Sequence, residues 1–147
     1  MKDQLITFES SQLLSTIPSY NQKECLNGFL HDGQESNDYS LDWINGKAIA
    51  RPSQTTVREF LRTKYDIEVE TFSSWESSIG RYYVMYVKIQ PETSQAKVIY
   101  NPATILATLK AQDPTCDIHQ FKYKTHEQAV ESGIFQALTY IINNNKN

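Results

Sequence analysis

A chain of 147 residues, 39% hydrophobic and 12% aromatic, is long enough to bury one core of its own. That excludes global disorder and a fold that must be stapled by disulfides or metal. Its 14 basic and 17 acidic residues leave a net charge of -3, and residues 1–50 hold 3 basic against 7 acidic, so a protein gripping polyanions through a basic face is not expected.

In chain order, Ser10 and Ser11 open a short helical pattern with Leu13, Leu14 and Ile17 on one face, stopped at Pro18. Asn21–Leu30 reads as a second short helix, interrupted by Asn27-Gly28. His31–Asp38 is polar, acidic and glycine-containing, hence a surface loop. Tyr39–Ile44 and Lys47–Ala50 then flank Asn45-Gly46, which predicts a two-residue type I′ hairpin over residues 41–50, since both turn residues would need positive φ.

Ser53 is placed to cap a helix over Ser53–Tyr65, with Val57, Phe60, Leu61 and Tyr65 on one face. Next, Ile67, Val69 and Thr71 alternate with Glu68 and Glu70, the pattern of a strand with one wet face. Ser73–Gly80 reads as a polar turn region carrying Trp75. Arg81–Gln90 is the strongest strand: Tyr82, Val84 and Tyr86 share one face, and Tyr83, Met85, Val87 and Ile89 the other. Both faces are apolar or aromatic, which predicts a central position in its sheet.

A turn over Pro91–Ala96 leads into a short strand, Lys97–Tyr100. Asn101-Pro102 opens a helix over Pro102–Ala111 with Ile105, Leu106 and Leu109 inward, and Ile118–Lys124 supplies an edge strand. The last helix begins at a capping box, Thr125 with Gln128, and carries Ala129, Val130, Gly133, Ile134, Ala137, Leu138, Ile141 and Ile142 as one stripe. Together these predict a single α+β domain over 1–147, with its core in 51–142. An antiparallel sheet of about three to five strands is covered by the three main helices.

Two of these stretches resemble a group of small phage- and prophage-encoded proteins of Bacteroides-type gut bacteria. The first is Ala50-Arg-Pro-Ser-Gln-Thr-Thr-Val-Arg-Glu-Phe-Leu-Arg-Thr-Lys-Tyr65 with the strands that follow, and the second is the tail helix that starts Thr125-His-Glu127-Gln-Ala129-Val-Glu131-Ser-Gly133. Phe60 stands where that group commonly has tryptophan. The resemblance implies a phage or mobile-element setting and a β-hairpin after the first helix. It rests on caps and packing positions, so it brings no activity with it.

Candidate chemistry is sparse. Cys116-Asp-Ile-His119 has the spacing of half a zinc site, with Asp113 or His126 as further donors, but no second half exists, and Cys25 and His31 show no partner spacing. The plainer reading, a part-buried cysteine and a surface histidine, is the one adopted, and neither a metal nor a cofactor is expected. His31-Asp32 as a base with its orienting carboxylate, Cys116 with a histidine as nucleophile, and Glu68 with Glu70 as a glycosidase-like pair are each better explained as loop or solvent-face residues. No phosphate-binding loop or dinucleotide fingerprint is present, so no catalytic residue is assigned.

Three functions are carried forward. The first is a non-catalytic accessory protein that binds another protein. The second is a small nucleic-acid-binding module that stacks bases on the tyrosine strand through Tyr82 and Tyr86, beside Arg81 and Lys88. The third is a small-molecule site or enzyme in the 31–45 region around Trp43. Cys25 and Cys116 lie in no paired motif and no run approaches the roughly 18 apolar residues of a membrane span, so a cytoplasmic protein without membrane partners is expected. A homodimer is also expected, with residues of Ile67–Thr71 or Arg81–Gln90 near its interface.

Overall fold

The structure, a computed structural model, describes residues 4–102, 107, 111–113, 115 and 121–144. Helix α1 runs Phe8–Ser15 and so begins ahead of Ser10, because Thr7 is the cap: its side chain accepts from the Ser10 amide. Ser10 and Ser11 are buried inside the first turn, and Leu14 and Ile17 enter the core.

Two expectations for the N-terminal third are corrected. Asn21–Leu30 is not a helix but a 3-10 turn, Gln22–Glu24, followed by strand β1, Gly28–Leu30. Gly28 is obligatory there: a Cβ would stand 2.0 Å from Cδ1 of the Tyr39 ring. The hairpin over residues 41–50 is absent, since Tyr39–Ile44 forms helix α2, capped by Asp38 accepting from the Leu41 amide. A type I′ turn needs positive φ at both central residues. Asn45 has φ -84° and only Gly46, at φ 72°, is left-handed, so Asn45-Gly46 closes a helix. Strand β2, Ala48–Ala50, pairs antiparallel with β1 instead, Gly28 opposite Ala50 and Leu30 opposite Ala48.

From Ser53 onward the expectations are met more closely. Helix α3, Gln54–Tyr65, is capped by Ser53 and ends at Asp66 in a left-handed conformation, with Val57, Phe60 and Leu61 buried. Strands β3, Ile67–Glu76, and β4, Gly80–Ile89, pair in one unbroken register from Ile67 opposite Ile89 to Glu76 opposite Gly80. Ser73, Ser74 and Trp75, expected in a turn, are strand because Tyr83, Tyr82 and Arg81 stand opposite them. Strand β5, Lys97–Tyr100, pairs with the far side of β4. The order β3-β4-β5 makes β4 central, as its two apolar faces predict.

The terminal helix, here α4, spans His126–Asn144. Its capping box is reciprocal: the Gln128 amide donates to Thr125 Oγ1 at 3.1 Å and the Thr125 amide to Gln128 Oε1 at 3.4 Å. Ala129, Val130, Gly133, Ile134, Ala137, Leu138 and Ile141 are buried and join Ile67, Val69, Met85 and Val87 in one core. Gly133 lets helix and sheet close together, since a Cβ there would meet Val69 Cγ1 at 2.3 Å. Helices α1 and α3 flank α4, which completes an α+β fold; the described residues form two antiparallel sheets, one of two strands and one of three, rather than a single sheet. The helix expected over Pro102–Ala111 lies largely outside the described residues, and of the edge strand over Ile118–Lys124 the described part includes Tyr123, bridged to Tyr83. No helix among the described residues is long and apolar enough to cross a membrane.

Candidate binding face

Because α4 occupies one face of the β3-β4-β5 sheet, alternation along β4 turns Tyr82, Val84, Tyr86 and Lys88 to the opposite, outer face. The register adds Glu68, Glu70, Phe72, Ser74 and Glu76 from β3 on that same side. These side chains would be an ordinary wet face except for their aromatics. Phe72 is 52% exposed, its ring centroid lies 6.0 Å from that of Tyr86, and Tyr82 and Val84 are half-buried. Together with Phe121 and Lys122 they line a cavity of about 480 Å³ that reaches Asn101 and Pro102.

Charges on this face are matched internally. Lys88 Nζ is 2.7 Å from Glu70 Oε1, and Tyr86 donates its hydroxyl to the same carboxylate. Lys88 above all, and then Tyr86, hold the Glu70 carboxyl below the usual carboxylate range. The carboxylate in turn raises the pKa of both Lys88 and Tyr86. Lys122 Nζ lies 2.5 Å from Glu76 Oε2 and 4.9 Å from the centre of the Tyr82 ring, so one ammonium joins an ion pair to a cation–π contact. Glu68 is held by Arg62 at 2.7 Å. Among the described residues the arrangement has no nucleophile–base pair; what it can do is hold an apolar or aromatic group between rings, with paired charges at the rim.

Of the residues singled out in the sequence, Tyr82, Tyr86 and Lys88 therefore come together. Arg81 does not join them: it is opposite Trp75 on the other parity, and exposed. Trp43 lies on α2, packed against the small cluster of Tyr39, Ala48 and Ala50, and lines a separate shallow cavity with Ile17, Pro18 and Tyr20. His31 and Asp32 are occupied locally, His31 Nε2 at 2.9 Å from the Gly46 carbonyl and Asp32 accepting from the Gln34 amide. His126 is exposed and pairs with Thr71 Oγ1 at 3.0 Å. Cys116 and His119 lie outside the described residues, and among the described ones no three His, Cys, Asp or Glu side chains are grouped to hold a metal.

Sequence reasoning missed Phe72, Phe121 and Lys122. For Phe72 a signal existed: it continues the parity of Glu68 and Glu70, so alternation carried one residue further would place a large aromatic on the solvent side. For Phe121 and Lys122 there was none, since only the return of the chain after Tyr100 brings them beside Tyr82. In comparisons with protein-family models, curated proteins and solved structures, no match to this chain was found.

Proposed function

We propose that this protein is a non-catalytic binding protein, an accessory factor of a phage or mobile element, whose outer sheet face docks an apolar or aromatic segment of another protein. The single observation that supports this reading is the pairing of exposed rings with cations already neutralised. Phe72, Tyr82, Val84 and Tyr86 offer apolar surface, while Lys88 and Lys122 are engaged with Glu70 and Glu76. Protein partners use such aromatic surface for binding energy. A nucleic acid would need free cations to displace counterions from its phosphates, and what favours that alternative on this face is the co-facial pair Tyr82 and Tyr86. The phage setting rests on the resemblance of the α3 and α4 stretches alone.

The test places a photoreactive benzophenone side chain at Tyr82, with one at Leu26, 89% exposed on another part of the surface, as control. Irradiation in the native host is expected to yield one covalent protein adduct at position 82 and not at 26. The partner, once purified, should lose at least about tenfold in affinity for a Phe72→Ala, Tyr82→Ala double variant. Adducts to nucleic acid at position 82, or identical adducts at both positions, would overturn the proposal.

A further inference from the structure

The β3-β4-β5 sheet has two outer edges, and they differ. The β5 edge is four residues long, begins with Lys97 and is followed closely by Pro102, all features that blunt an edge. The β3 edge is ten residues long and carries no proline, no lysine and no register shift. Among the described residues no strand pairs with it.

Which of its backbone groups are free follows from two hydrogen bonds. Tyr83 gives its amide to Tyr123 at 2.7 Å and accepts the Tyr123 amide at 2.9 Å, so both of its main-chain groups point away from β3. Ser73, opposite Tyr83, therefore directs its own amide and carbonyl to the open side. Val69, of the same parity, does likewise, and its carbonyl accepts from Arg58 Nη2 at 2.9 Å. Arg58 thus closes the edge at Val69. Thr71, Ser73 and Trp75 present main-chain donors and acceptors beyond it.

We infer that this open edge pairs with the same edge of a second copy of the chain, antiparallel about a two-fold axis through Phe72. In that register Thr71 of each copy faces Ser73 of the other, which exchanges about four main-chain hydrogen bonds. Phe72 meets Phe72 at the close, non-hydrogen-bonded position, which extends the Tyr86–Phe72 contact into one aromatic row across both copies. Glu70 faces Ser74 of the other copy, whereas Glu68 comes opposite Glu76. The acids of the strand, Glu68, Glu70 and Glu76, are already held by Arg62, Lys88 and Lys122, so the two edges meet without uncompensated like charge. Trp75, 69% exposed, comes opposite Val69 of the second copy, beside the Arg58 guanidinium, whose Nε is buried and has no hydrogen-bond partner among the described residues. Self-complementarity of this short stretch selects a second copy over an unrelated strand. Phe72 lines the groove and also sits on the two-fold axis, whereas Ser73 lies outside the groove lining, so Ser73→Pro tests the pairing apart from what the groove binds.

Sedimentation of the full chain from micromolar to millimolar concentration should show a species of twice 16.9 kDa. Ser73→Pro removes an amide that faces the open side, so it should leave β3-β4 amide protection intact and abolish the dimer. Phe72→Cys, in a Cys25→Ser, Cys116→Ser background, should form an intermolecular disulfide on mild oxidation, whereas Ser78→Cys should not. Should Ser73→Pro fail to fold, Phe72→Lys takes its place and should give a folded monomer. A monomer at every concentration overturns the inference, as does a dimer that survives the edge variants and yields no disulfide through position 72. A monomer that accepts an extended peptide of another protein along Thr71–Ser73 overturns it too.

Discussion

Met85 and Tyr86 are neighbours on one strand, yet they belong to regions with different work. On the inner face Met85 and Val87 are 2% and 0% exposed, closed over by Ile134, Ala137 and Leu138 of α4. On the outer face Tyr82, Val84 and Tyr86 are half-exposed and held by ring contacts and ion pairs at the surface. Inner residues lose stability when altered because a dense core cannot refill a cavity. Outer residues are free to vary in energy, and what they lose is a surface. The contrast teaches that apolar character on both sides of a strand does not by itself say which side is core.

The sharpest break of that contrast is Leu138→Ala. The residue is fully buried, and the truncation is expected to cost about 2–5 kcal/mol, read by denaturant unfolding. A variant as stable as the parent would remove α4 from the core. Gly133→Ala should come next. Overpacking against Val69 costs about 1–3 kcal/mol and outweighs the ~1 kcal/mol that alanine gains in a helix. Adding Val69→Ala should recover part of the loss, and strict additivity of the two changes would deny the contact.

Phe72→Ala and Tyr82→Ala, on the outer face, should each shift stability by less than about 1 kcal/mol. Losses as large as that of Leu138→Ala would make the outer face a second core and erase the distinction. The smallest effect concerns pH. The Glu70 carboxyl is lowered from its ordinary 4.5, chiefly by Lys88 and then by Tyr86. A depressed folded value means that its contribution is present above 4.5 and is lost as pH falls through the folded value. The Glu70 carboxyl carbon shift should therefore titrate below 4.5 in the parent, and move up toward it in Lys88→Met.

Much of this fold was legible because its signals are local. Helices α3 and α4 announce themselves through a cap and a 3.6-residue period, and each is closed on its own residues: Ser53 on Thr56, Thr125 on Gln128. The central place of β4 was equally readable, since apolar and aromatic residues on both faces mark an inner strand rather than an edge strand. The α+β class followed from these elements alone. Of the face itself, alternation put Tyr82, Tyr86 and Lys88 on one side, and Phe72 could have been added by the same rule.

What the tertiary structure alone decided depends on partners distant in the chain. Asn45-Gly46 is compatible with a hairpin or with a helix end, and the choice went to the helix because β2 found its partner in β1 rather than in residues 39–44. Ser73–Trp75 has weak strand character of its own and became strand because Tyr83, Tyr82 and Arg81 were there to pair with it. Which face of β4 would be core was likewise undetermined until α4, with Gly133 against Val69, took one of them. The groove followed from that choice, as the return of Phe121 and Lys122 beside Tyr82 and Phe72 closed its rim. Caps and periodicity are contained within a few residues of sequence, whereas pairing and docking are competitions between segments that only the packed chain resolves.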